Sequence, residues 1–130
     1  LSQPHIRTNR FITKSICYHA ASMADSINAK AVTTLTNSGY TAFQISAWRP
    51  HAHILVFTSN ERILTQLNLL WGVRAFFYDK FTSTDDTIDD INKICKDKKY
   101  VKKGDMVINL ASMPIANKGM VNTLRISEIE

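Results

Sequence analysis

Ile12, Ile16, Ala20, Met23, Ala24 and Ile27 recur at three- and four-residue spacing near the start of the chain. That is the period of one helical face, and it predicts a helix over 10–30 with Thr8 or Asn9 as its N-cap. Residues 29–35 (AKAVTTL) are short, rich in β-branched side chains and followed by turn chemistry, so they read as a buried strand. The turn TNSG opens a short helix over 39–48, stopped by Arg49-Pro50, because the residue before a proline is biased away from helical backbone. The pattern then repeats. Residues 53–58 (HILVFT) form a second strand, and Ser59 or Asn60 caps a helix with Ile63, Leu64, Leu67, Leu70 and Trp71 on its apolar side. Gly72 is a natural left-handed stop. A third strand follows at 73–78, a helix at 84–99 capped by Thr84, a fourth strand at 106–111 and a last strand at 120–126.

Strands alternating with helices imply a mainly parallel sheet covered on both faces. The last link, SMPIANKG, holds no helix, and a parallel return needs about a dozen residues or more. The final strand is therefore expected antiparallel, at an edge. The fold class is α/β: a three-layer α/β/α sandwich with a five-stranded mixed sheet. At 130 residues the chain fits a single domain, 1–130, with 1–9 reading as a linker remnant. A start at Leu1 rather than Met suggests a piece cut from a longer protein.

Composition adds exclusions. The hydrophobic share of 45% and charged share of 21% are those of a soluble globular protein. No run approaches the ~20 apolar residues of a membrane span, and no h-region follows Arg7 and Arg10. A cytoplasmic location without membrane contact is expected. Cys17 and Cys95 lie in helical stretches outside any CxxC pair, and read as free buried thiols. The formal charge of +5 raises nucleic-acid binding as an option. Much of the excess lies in KICKDKKYVKK at 93–103, downstream of Asp85, Asp86, Asp89 and Asp90. Acids at a helix start and lysines at its end complement the helix dipole, at about 0.3–1 kcal/mol per well-placed charge. No aromatic-interleaved basic surface accompanies them, so no nucleic-acid partner is expected.

The chemistry concentrates in TNSGYT, at the carboxyl end of the first strand, where open α/β sheets bind ligands. Thr36, Ser38 and Thr41 offer hydroxyls, Gly39 allows close approach, and a helix N-terminus attracts anions. These parts suit a phosphate monoester. There is no GxxxxGK[ST] or GxGxxG, and a capped turn that binds nothing would look the same, so both readings stay open. His51 and His53 have a chelating spacing, but no Cys or acidic ligand clusters beside them, and no metal site is expected. His19 reads as a polar residue at the rim of the apolar stripe. No nucleophile, base and orienter set is present, so no catalytic residue is assigned.

Five phrases in register carry a family likeness. AKAVTTLTNSGYTAFQISAWRP, FTSNERILTQLNLLWGV, TDDTID, KKGDMVINLASMP and GMVNTLRI resemble the C-terminal domain of pyruvate kinase from the first helix to Ile126. The family's Thr-x-Ser-Gly-x-Thr turn falls on Thr36, Ser38, Gly39 and Thr41; its Arg-Pro on Arg49-Pro50; its Thr-Asp-Asp on Thr84, Asp85 and Asp86. The resemblance implies the same three-layer fold with a final antiparallel strand. It further implies a regulatory and oligomerisation domain, appended to a catalytic barrel that transfers phosphate from phosphoenolpyruvate to ADP with Mg2+ and K+. The catalytic and metal-binding residues would belong to that barrel, so no cofactor is expected on this chain. The partners implied are the barrel itself and a homotetramer.

The effector pocket does carry over. It comprises Thr36, Asn37, Ser38, Gly39, Tyr40 and Thr41, closed by a loop at 112–119 with Asn117, Lys118 and Gly119. The chain departs from the bisphosphate-responsive pattern at Tyr40 and Asn37, and its loop lacks the usual Trp and Arg. The expected ligand is therefore a monophosphate (a sugar phosphate or AMP), or inorganic anions bound only weakly. The alternatives are a free-standing sensor of a phosphorylated metabolite, and a purely structural assembly domain.

Overall fold

The computed structural model describes residues 9–80, 83–112 and 121–130. Its elements are α1 (Asn9–Ser26), β1 (Ala31–Leu35), α2 (Tyr40–Ala47), β2 (His53–Thr58), a 3-10 turn (Glu61–Ile63) running into α3 (Leu64–Asn68), β3 (Val73–Phe77), α4 (Thr84–Asp97), β4 (Met106–Ala111) and β5 (Thr123–Glu128). One sheet runs in the order β3-β2-β1-β4-β5. All neighbours are parallel except β4 and β5, which are antiparallel. The expected three-layer α/β sandwich is the observed one.

β1 lies in the middle of the sheet, which is why its sequence shows no polar alternation: Ala31, Val32, Thr33 and Thr34 are all buried. Strand residues alternate between the faces. Val32, Ile54, Val56, Val73, Ile108 and Leu110 meet α1, α2 and α3 in one core. Ala31, Leu55, Phe57 and Val107 meet Ile91 and Cys95 of α4 in the other. Both cysteines are free and buried, as expected.

Several boundaries differ from the sequence reading. The buried face of α1 is Thr13, Cys17, Ala20, Ala21 and Ala24, rotated from the expected stripe, and Ile12 is 42% exposed. Small side chains let α1 approach α2 and the sheet closely. Its position is pinned by Thr13, whose hydroxyl donates to the Val121 carbonyl at 2.8 Å. Ile27 falls beyond the helix end, where Asn28 turns left-handed at φ 55°. α3 keeps only Leu67 buried, because the chain turns through Gly72 (φ 71°) straight into β3; Trp71, expected on its apolar side, is 47% exposed. The cap of α4 is Ser83, not Thr84: the Ser83 hydroxyl accepts from the Asp86 amide at 3.2 Å. β5 begins and ends later than expected, at Thr123 and Glu128, because pairing with β4 sets Ala111 opposite Thr123 and Met106 opposite Glu128.

Candidate anion site at the carboxyl end of the central strand

The ladder between β1 and β2 continues one step past Leu35, with the Thr36 amide donating to the Phe57 carbonyl at 2.9 Å. The chain then leaves the sheet and closes on itself. The Gly39 amide donates to Thr36 Oγ1 at 3.1 Å and the Tyr40 amide to Ser38 Oγ at 3.3 Å. The first helical bond of α2 follows, from the Phe43 amide to the Gly39 carbonyl at 3.0 Å. Gly39 itself is left-handed at φ 83°, a conformation that glycine adopts without steric cost. A Cβ there would come within 3.0 Å of Leu67 Cδ2, so the missing side chain also lets α2 lie close to α3.

The turn is joined to its counterpart at the end of β2. Ser59 Oγ donates to Asn37 Oδ1 and Asn60 Nδ2 donates to the Asn37 carbonyl, each at 3.1 Å. Asn60 also caps the following 3-10 turn, its Oδ1 accepting from the Arg62 amide at 3.1 Å. Asn37 and Ser38, with the half-buried Thr36 and Tyr40, thus share one polar surface with Ser59 and Asn60, while Gly39 is buried. Thr41 is buried beneath it, its carbonyl 3.9 Å from Cys17 Sγ. Asn117, Lys118 and Gly119 lie outside the described residues.

Two contributions carry no local sequence signal. In the sequence Ser59 and Asn60 read only as helix caps. The signal for their second role is the parallel register, which sets Leu35 opposite Phe57 and so brings the two turns side by side. Arg10, in the first turn of α1, places its guanidinium 4.4 Å from the centroid of the Tyr40 ring. That brings a cation to the first residue of α2, thirty positions away in sequence, by a contact no local pattern announces.

The remaining titratable candidates lie elsewhere. His51 and His53 take separate partners: His51 holds Asp25 through its amide (3.1 Å) and Nδ1 (3.3 Å), while the His53 ring stands edge-on to Tyr100 at 5.3 Å. The His51 contacts, the amide first, hold the Asp25 carboxyl below its ordinary range. Among the described residues no three His, Cys, Asp or Glu side chains gather into a metal site. Burial pushes the Cys17 and Cys95 thiols up to about 12, which keeps them protonated and unreactive at neutral pH.

Fold and topology together define an α/β domain with a mainly parallel five-stranded sheet and one antiparallel edge strand. Residues 14–127 match the family described as "Pyruvate kinase, alpha/beta domain". The chain belongs to that family. It is 32% identical over 118 residues to the pyruvate kinase of Lactobacillus delbrueckii subsp. bulgaricus, covering 91% of this chain and 20% of the relative. To the Clostridium acetobutylicum pyruvate kinase it is 33% identical over 123 residues, covering 95% of this chain and 25% of the relative. A crystal structure of a pyruvate kinase from Cryptosporidium parvum shares the fold, with a TM-score of 0.81 at 23% identity over 92% of this chain and 23% of that one. The chain thus spans a fifth to a quarter of the length of the relatives it matches. Among the described residues no helix is long and apolar enough to cross a membrane.

Proposed function

We propose that this chain is the regulatory and assembly domain of a cytoplasmic pyruvate kinase, and that it binds a phosphate monoester at the 36–41 turn. The observation that carries the reading is the hydrogen-bonded pairing of the two strand-to-helix turns through Asn37, Ser59 and Asn60. Around that pairing stand the features an anion needs. A helix opens there on a left-handed glycine, hydroxyls line it, and the Arg10 guanidinium lies over Tyr40. A monoester fits better than a bisphosphate, because Arg10 is the cation that the described contacts bring to the turn.

Phosphoryl transfer from phosphoenolpyruvate to ADP belongs to the barrel of the full-length enzyme, together with its Mg2+ and K+. The domain alone is inert in that reaction. An anion at the turn acts by population shift, favouring one packing of neighbouring subunits over another. The test is calorimetric titration with glucose 6-phosphate, ribose 5-phosphate, AMP, fructose 1,6-bisphosphate and inorganic phosphate, beside a Ser38→Asp variant. Selective monoester binding, lost when a carboxylate enters the turn, supports the reading. Tighter binding of the bisphosphate overturns the monoester assignment, and silence across the panel overturns the site.

A further inference from the structure

A concave surface lies at the end of the sheet opposite the 36–41 turn, where β1 and β4 begin. It is an open hollow of about 460 Å3 lined by Lys30, Lys96, Lys99, Lys102, Tyr100 and Asp105. That volume falls within the ordinary range of small-molecule sites, about 300–1,000 Å3. Four of the lining residues are lysines and one is an aspartate, and much of the lining is the aliphatic part of these side chains. Asp105 is already engaged, its Oδ2 accepting from the Lys102 amide at 2.9 Å. The Lys96 ammonium donates to the Glu130 carbonyl at 2.6 Å and retains two further N–H donors.

Compensation of the helix dipole accounts for Lys96, which lies in the last turn of α4. It does not account for Lys30 and Lys102, which lie outside that helix. Lys30 comes from the link between α1 and β1 and Lys102 from the link between α4 and β4, so separate segments converge on the hollow. Lys99 is the most informative. The Tyr100 amide donates to the Cys95 carbonyl and the Lys99 amide to the Lys96 carbonyl, which is the Schellman closure of a helix. The position this motif reserves for a left-handed residue is Lys99, at φ 67°. Glycine is the residue suited to it, yet the chain carries a lysine that lines the hollow.

We propose that this hollow binds a small soluble ligand with two or more linked phosphate groups, at a site separate from the 36–41 turn. Lysine ammoniums are compact point charges suited to phosphate oxygens. Linked phosphates span a wider stretch of surface than one monoester, and so can reach lysines that come from separate segments, Lys30 on one side and Lys99 and Lys102 on the other. The two sites lie at opposite ends of β1, roughly 17 Å apart at about 3.3 Å per residue over its length.

The experiment is an NMR titration of the full 130-residue chain with sodium tripolyphosphate, and with orthophosphate in parallel. Lys99→Gly and Lys30→Gln/Lys102→Gln variants run beside it. Lys99→Gly suits the left-handed backbone, so its melting midpoint should equal or exceed the parent's while the charge is gone. The expected result is amide perturbation at 30, 96–102 and 105, and tripolyphosphate binding about tenfold tighter than orthophosphate. Each variant should weaken that binding about fivefold or more, the net worth of at least one hydrogen bond. The proposal is overturned by perturbation confined to the 36–41 turn, by perturbation spread evenly over outlying lysines such as Lys14 and Lys93, or by unchanged binding in both variants. A response to vesicles carrying phosphatidylinositol bisphosphate with none to tripolyphosphate also overturns it, because the ligand would then be a lipid surface.

Discussion

Asn109 and Thr33 are partners across the β1–β4 ladder, and the Asn109 amide nitrogen donates to Thr33 Oγ1 at 2.7 Å. The same nitrogen donates to Asn92 Oδ1 of α4 at 2.8 Å, and Asn109 Oδ1 accepts from Ser127 Oγ of β5 at 2.6 Å. One buried amide therefore ties the central strand, the edge strand and the α4 layer together. Replacing it with leucine leaves the Thr33 and Ser127 hydroxyls without their partner in the core. Asn109→Leu is expected to cost about 2–4 kcal/mol in urea unfolding. The triple change Thr33→Val, Asn109→Leu, Ser127→Ala should regain most of that loss, since the two hydroxyls that depended on Asn109 would then be gone as well. A triple variant as unstable as the single one would mean that packing, not polarity, sets the cost.

The neighbouring threonine should behave in the opposite way. Thr34 is 1% exposed and its Oγ1 has no hydrogen-bond partner among the described residues. Thr34→Val keeps the shape and removes the orphaned hydroxyl, so it should raise stability by about 1 kcal/mol. Thr33→Val should lower it. If both changes destabilise equally in matched denaturation curves, the distinction between the two faces of β1 is wrong.

Gly39→Ala strains the anion turn directly. An alanine held at left-handed φ costs about 1–2 kcal/mol, and its Cβ would press on Leu67 Cδ2. A drop of that size in unfolding free energy is expected, with loss of any monoester binding. An unchanged denaturation midpoint would show that the turn relaxes freely.

The two buried thiols give an alkaline signature. Their folded-state values stand near 12 against an ordinary value of 9.0, so the folded chain holds these protons more tightly than the unfolded one. Stability from this source is fully present below pH 9 and is lost as pH rises from there towards 12. The slope approaches about 1.4 kcal/mol per pH unit for each thiol. In a Cys17→Ala/Cys95→Ala variant that part of the alkaline decline should vanish. Equal slopes for parent and variant between pH 9 and 10.5 would refute it.

Local pattern alone was enough to place β2 and β4, because a short β-branched run bounded by turn residues has one reading. The antiparallel last strand was legible too, since a link without a helix cannot make a parallel crossover. So was the 36–41 turn, whose glycine and hydroxyls mark themselves. The tertiary structure decided which face of α1 is buried, because periodicity admits several faces and only close packing on the sheet favours Thr13, Cys17 and Ala20 over the larger Ile12. It decided where β5 starts and stops, since strand ends follow the register of the partner. It also brought Arg10 to Tyr40, Ser59 and Asn60 to Asn37, and Lys30 to the hollow that Lys99 and Lys102 line. Each of those contacts joins segments distant in sequence. Such proximity is a property of the folded sheet, and no window of neighbouring residues encodes it.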